Sequence, residues 1–212
     1  MSIAVDRYEL GPLQTNCYVV RRERGAAEAI VIDPGGDITQ LRLELARMGA
    51  KVVAILLTHG HWDHVLGVVD LVEASGAPVY LGEAELPELE SEGPELMGFP
   101  PLDSFAPDHL LSGGEKLDLA GLEIEAVPVP GHRPGHMAFA TSGCLFSGDV
   151  LFRGSVGRAD LPGGDWPTLM ATLEMLTLRF PPETVVYSGH GPETTIGAEL
   201  RSNPFLAELR AR

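Results

Sequence analysis

The sequence predicts an α/β fold in which β-sheets carry helices on their outer faces. Three observations point there. Strand-like runs cluster at 18–20, 29–32, 52–57 and 78–81, and again at 116–119, 122–129, 137–141, 144–146 and 184–187. Helical periodicity falls between and after these clusters. A length of 212 residues with 44% apolar content suits one domain, 1–212, with a substantial core.

The helices are marked by their ends. Asp37 suits the cap of a helix that aligns Ile38, Leu41, Leu45 and Met48, and Gly49 suits its stop. A second helix is expected from Asp63 or His64, burying Val65, Val68, Val69 and Val72 before Ser75-Gly76. A third starts at Asp165, holds Pro167 in its first turn, aligns Leu169, Leu173 and Leu176, and ends before Pro181-Pro182. A short last helix follows Thr195 and breaks near Asn203-Pro204. Ser142-Gly143 is a hairpin signal, and Ala120-Gly121 a weaker one. Several α/β folds are compatible with this pattern.

The net charge of −15 disfavours nucleic acid and anionic membranes as partners. Cys17 and Cys144 sit in strand-like runs with no nearby Cys or His, and read as reduced, mostly buried thiols of a cytoplasmic protein. The first six residues lack the basic and apolar regions of a signal peptide. The longest strongly apolar run, 52–57, is too short to span a bilayer. The expected partner is a small molecule; no pattern speaks to oligomeric state.

The histidines narrow the choice. Of seven, three fall within Thr58-His59-Gly60-His61-Trp62-Asp63-His64, between the most apolar strand and a helix. Such a turn sits at the mouth of a sheet, where clefts form. His59 and His61, two apart, point the same way in extended backbone, and Asp63 and His64 project as the helix begins. The turn thus offers two ligands to each of two cations. Zinc wants about four, one being water in a catalytic site, so others must come from elsewhere. Pro130-Gly131-His132, Ser147-Gly148-Asp149 and Ser188-Gly189-His190 each end a strand with a glycine and a ligand-type side chain.

These motifs resemble, in order, the metal motifs of the metallo-β-lactamase superfamily. The likeness runs from Asn16-Cys17-Tyr18 through Ile32-Asp33-Pro34-Gly35 to Gly189-His190-Gly191. Phe146-Ser147-Gly148-Asp149-Val150-Leu151-Phe152, followed by Ser155-Val156-Gly157-Arg158, is most similar to the compact glyoxalase II-type (hydroxyacylglutathione hydrolase-like) branch. The resemblance implies a four-layer αββα sandwich with two divalent metals at one edge, zinc first and iron or manganese as alternatives. It implies that His59, His61 and His132 hold metal 1, that Asp63, His64 and His190 hold metal 2, and that Asp149 bridges. Asp33 would steady a ligand histidine through its N–H, or serve as a plain turn former.

Some relatives fit less well. Zinc β-lactamases commonly have Cys or Ser where Asp149 stands, flavodiiron-type members replace a histidine by glutamate, and nuclease branches usually carry a further domain. Two departures concern the thiol carrier. Only 22 residues follow His190, where larger glyoxalase II enzymes place a glutathione-holding helical extension, and Arg133 stands where many relatives have Thr or Ser.

The expected reaction is hydrolysis of a thioester, such as S-lactoylglutathione or a related acyl-thiol, by hydroxide shared between the metals, with Asp63 as the catalytic residue that orients it. The alternatives are a persulfide dioxygenase using one iron on His59, His132 and Asp149, and a lactone or ester hydrolase. Phe152, Arg153 and Arg158 follow Asp149 and are expected at the substrate; Arg158 would pair a substrate carboxylate or simply Asp160. Trp62 forms an apolar wall or only packs. His136 supports a ligand or makes a loop contact. His109 is expected in a solvated loop, and 83–95 as an exposed helix and loop.

Overall fold

A computed structural model describes residues 3–89 and 104–209. The first sheet runs β1 (Ala4–Leu10), β2 (Thr15–Arg21), β3 (Glu28–Ile32), β4 (Lys51–Leu56), β5 (Val79–Gly82) and β6 (His109–Leu111), neighbours in that order. Its first three strands are antiparallel and its last four parallel. The second sheet is built from β7 (Lys116–Leu119), β8 (Leu122–Pro128), β9 (Met137–Thr141), β10 (Cys144–Gly148), β13 (Val185–Ser188) and β14 (Thr194–Thr195), with the order β14-β13-β10-β9-β8-β7. A small hairpin, β11 (Leu151–Phe152) and β12 (Ser155–Val156), follows β10.

Period-two alternation makes the layers. In the first sheet, Tyr18, Val20, Ile30, Ile32, Ala54 and Leu56 face Ile124, Ala126, Phe139 and Phe146 of the second. Cys17, Val19, Val31 and Ile55 face the other way, onto Leu41 and Leu45 of α1 (Thr39–Met48) and Val68 and Leu71 of α3 (Val68–Ser75). On the far side, Val127, Ala138, Leu145 and Val186 pack on Leu169, Leu173 and Leu176 of α5 (Trp166–Arg179) and Ile196 of α6 (Ile196–Ser202). Three cores separate four layers, the αββα sandwich.

Local signals explain most ends. Asp37 Oδ1 accepts from Thr39 N–H at 2.8 Å, and Gly49 closes α1 in the left-handed region. Asp165 Oδ2 caps α5 through Thr168 N–H at 2.9 Å. Ser142-Gly143 and Ala120-Gly121 each place two successive residues at positive φ, the backbone of a two-residue hairpin turn.

Four expectations need correction. The second helix is two: α2 (Trp62–Val65) stops, and α3 restarts after Gly67. The Gly67 amide donates to Pro34 O, and a Cβ there would lie 2.3 Å from Gly36 O, so the 34–36 loop breaks the helix. The restart turns the apolar face, burying Val68 and Leu71 and leaving Val69 and Val72 half-buried. His109 is in strand β6, exposed and stacked on Tyr80 at 4.4 Å, not in a loop. Glu85, at the end of a 3-10 turn (Glu83–Glu85) before α4 (Leu86–Leu89), is fully buried; the remainder of that acidic segment, from 90 on, lies outside the described residues. Cys17 is buried as expected, whereas Cys144 is only half-buried; both are free. Among the described residues no helix is long and apolar enough to cross a membrane.

Candidate metal centre

Seven side chains from four strand ends converge. The loop after β4 supplies His59 and His61, and α2 supplies Asp63 and His64. The loops after β8, β10 and β13 supply His132, Asp149 and His190. All but His190 are buried, and the His190 side chain is about a third exposed, at 31%. Gly189 lets this happen: a Cβ there would lie 2.1 Å from Asp149 Oδ1 and 2.7 Å from His64 Cε1.

Hydrogen bonds decide which nitrogen each imidazole offers. Asp33 Oδ1 accepts from Thr58 N–H at 2.8 Å, and its Oδ2 from Thr58 Oγ1–H at 2.7 Å and His64 Nδ1–H at 2.9 Å. Since the Thr58 hydroxyl gives its one proton to that carboxylate, its contact with His59 Nδ1 at 3.0 Å must be donated by the ring. His132 Nδ1–H donates to Arg158 O at 2.7 Å. His59 and His132 therefore each present an unprotonated Nε2 to the centre, and His64 turns its Nε2 there too.

The ligand atoms group as two cations require. His61 Nδ1 lies 2.9 Å from His59 Nε2 and 3.0 Å from His132 Nε2. One proton cannot satisfy three such nitrogens, whereas a cation between them can. On the other side, His190 Nε2 is 3.4 Å from Asp63 Oδ2 and 3.5 Å from Asp149 Oδ2. Asp149 Oδ1 is 3.4 Å from His64 Nε2, and Oδ2 is 3.9 Å from His132 Nε2, so this one carboxylate touches both groups. His64 Nε2 and Asp149 Oδ1 are buried with no hydrogen-bond partner, the condition that coordination relieves. Three groupings meet the spacing of metal ligands: His59, His61 and His132; His59, His64 and Asp149; and Asp63, His64 and His190. The donor set fits a cation pair.

The electrostatics agree. Burial, and then neighbouring imidazoles, hold His59 well below the usual histidine range and push His61 down to about 3. Burial also lowers His132. These three stay neutral, as ligands must. Around the carboxylates the balance reverses. Burial opposes the charge on His64, but Asp149, Asp63 and Asp33 outweigh it and raise that histidine. Burial opposes charge on Asp149 too, yet His64 and His190 hold it well below the carboxylate range. Asp63, braced by Thr15 Oγ1–H at 2.8 Å, is likewise lowered by His64 and His190 against burial. The carboxylates of this half are thus held ionised, as metal ligands must be.

A model of the metallo-beta-lactamase superfamily matches residues 10–190. The chain belongs to that superfamily. It is similar to the hydroxyacylglutathione hydrolase GloC of Haemophilus influenzae, 37% identical over 91% of this chain and 93% of that one. It is also similar to the probable metallo-hydrolase YqgX of Bacillus subtilis, 34% identical over 94% and 96%. Among solved structures, one described as BLEG-1 B3 metallo-beta-lactamase aligns with a TM-score of 0.90 and 40% identity, covering 96% of this chain and 100% of that one. TTHA1623 in a di-iron-bound form aligns with a TM-score of 0.85 and 43% identity, over 95% and 100%. As a member of the superfamily the protein is a metal-dependent hydrolase.

The remaining expected residues sit around this centre. Asp33 orients His64 directly and His59 through Thr58. Its φ of +51° shows that it also turns the chain, so both readings hold. Phe152 meets the His190 ring edge-on at 6.2 Å between centroids. Arg153 Nη2–H donates to Glu193 O at 2.6 Å. Arg158 pairs Asp160 at 2.7 and 2.9 Å, and it is the Arg158 carbonyl that holds His132. Trp62 is buried. His136 is buried and stacks on His59 at 4.5 Å, so it supports a ligand by packing.

Sequence reasoning missed four supports: Thr15, Asn16, Thr58 and Glu85. Asn16 Nδ2–H donates to Ser188 O at 2.9 Å and Gly191 O at 2.7 Å, clasping the His190 loop from the opposite sheet. Thr58 stands inside the histidine motif and was open to such a reading. The other three are far from their partners in the chain.

Proposed function

We propose that the protein is a binuclear hydrolase of thioesters, acting on S-lactoylglutathione or a related acyl-thiol. The observation that carries this is Asp149, whose two oxygens reach both ligand groups while each group keeps three further donors. The similarity to GloC, a hydroxyacylglutathione hydrolase, supports the substrate class.

When bound, the cation pair supplies activated water near neutral pH and polarises the carbonyl. The chain does the rest. Asp33 and Thr58 fix the ligand tautomers. Asp63, steadied by Thr15, orients the attacking water and holds its proton. The two serines at the strand ends beside the ligands are engaged elsewhere: the Ser147 hydroxyl is bonded to Leu151 O and the Ser188 hydroxyl to His190 O. Burial pushes both thiols up, Cys17 far up. A groove of about 460 Å³, lined by Arg158, Ala159, Trp166 and Phe205, is our candidate for the non-reacting part of the substrate, because the Arg158 carbonyl accepts from His132.

Protein loaded with zinc should hydrolyse S-lactoylglutathione and release thiol. A fully metallated preparation inert towards every acyl-thiol tried would end this reading. A second reading, opening of a β-lactam ring, is favoured by the 40% identity to BLEG-1, and the same preparation should be assayed with a chromogenic β-lactam. The complete Asp63, His64 and His190 set favours hydrolysis over a one-iron persulfide dioxygenase; oxygen uptake with a persulfide would reverse that preference.

A further inference from the structure

Glu85 is buried among the loops that carry the metal 1 ligands. Its Oε2 accepts from Gly60 N–H at 2.8 Å, and Gly60 lies between His59 and His61. Its Oε1 accepts from Gly135 N–H at 2.8 Å, in the loop that begins at His132. The Arg133 side chain, 1% exposed, brings Nε to 3.5 Å from Glu85 Oε2. Arg133 Nη1–H donates to Pro162 O at 2.9 Å. One carboxylate thus joins by their backbones the two loops supplying His59, His61 and His132. One guanidinium carries the connection towards the segment whose Arg158 carbonyl orients His132. The fit is close: a Cβ on Gly60 would stand 3.2 Å from Glu85 Oε2, and one on Gly135 2.6 Å from Glu85 N.

Burying a carboxylate and a guanidinium together is costly, and well-packed apolar residues hold a fold as well or better. Stability alone therefore does not account for this pair. We infer that Glu85, assisted by Arg133, is a positioning residue for metal 1. It sets the separation between the His59–His61 turn and the His132 loop, and with it the affinity of that one cation site. The inference rests on the binuclear reading above.

Glu85→Gln tests it. The carboxamide matches the shape of the carboxylate but can accept from only one of the two amides, and its NH₂ opposes the other. Zinc affinity would be measured on apo-protein against a chromophoric chelator. Occupancy at each ligand set would be read from anomalous scattering of crystals grown with limiting zinc. Affinity at His59, His61 and His132 should fall about 10- to 100-fold, the usual effect of losing an outer partner, with Asp63, His64 and His190 close to wild type. Arg133→Lys keeps the charge but is too short to span both Glu85 and Pro162, and should shift the same site by less; it decides the matter if Glu85→Gln does not fold. Leu173→Ala, in the α5 core that contains none of the ligand side chains, should lower stability and leave both sites alone. Unchanged affinity at metal 1, or equal weakening at both sites, overturns the assignment while leaving the binuclear reading intact. Wild-type protein that takes up fewer than two zinc ions overturns both.

Discussion

Asp33 and His64 stand 31 positions apart in the chain, yet Asp33 Oδ2 accepts the His64 Nδ1–H at 2.9 Å, and the same oxygen takes the Thr58 hydroxyl. A single carboxylate thereby orients one imidazole of the Asp63–His64–His190 group and, through Thr58, one of the His59–His61–His132 group. Asp33→Ala should lower affinity for both metals by about 10- to 100-fold. Zinc titration calorimetry on apo-protein checks this. A loss confined to one site would show that Thr58 holds His59 without Asp33.

Asp63 is assigned to the attacking water as well as to metal 2. In Asp63→Ala with excess zinc, kcat should drop by about 10²–10⁴, the range for a lost acid–base group, with KM changed far less. Near-normal turnover in a fully metallated variant would remove Asp63 from the chemistry.

Chelation should abolish hydrolysis, and zinc, iron or manganese should restore it. It should also lower Tm, because a ligand bound only by the folded state stabilises it. His64 Nε2 and Asp149 Oδ1, buried with no hydrogen-bond partner, are the ground for that expectation. A rate indifferent to excess chelator would refute metal catalysis.

Asn16 joins the two sheets at the His190 loop. Asn16→Ala removes both bonds, leaving the Ser188 carbonyl with the Tyr18 hydroxyl at 2.6 Å and the Gly191 carbonyl with Arg7 Nη1 at 3.0 Å. A cost of about 0.5–1.5 kcal/mol per lost hydrogen bond is expected in urea denaturation. Zinc at Asp63, His64 and His190 should weaken with it. Wild-type stability would mean that water replaces the side chain freely.

Leu173 lies at the centre of the α5 core, fully buried among Val127, Leu145 and Val186. Leu173→Ala should cost about 2–5 kcal/mol of unfolding free energy. Zinc stoichiometry should stay at wild type, because none of the seven ligand side chains belongs to this core.

Periodicity was a good guide where a strand is apolar on both faces or a helix has one clear stripe, as in β4 and α5. It failed where burial is one-sided or partial. β1 carries Arg7 and Glu9 at its exposed positions, as an edge strand does, and shows no apolar run. β6 is short and half exposed, and only pairing with β5 makes it a strand. The break between α2 and α3 comes from a loop packed against Gly67, which a reading along the helix does not see.

The seven ligand-type side chains and their strand-end positions were determined by the sequence itself, because ligand chemistry belongs to the residue and strand ends follow local alternation. Which ring nitrogen His59, His64 and His132 offer was decided only in three dimensions, by Thr58, Asp33 and the Arg158 carbonyl. So was the change of Glu85 from an acidic surface residue into a buried clamp. A tautomer or a buried charge depends on its hydrogen-bond partners, and here those partners come mostly from segments 25 to 50 residues away, brought into reach by sheet pairing.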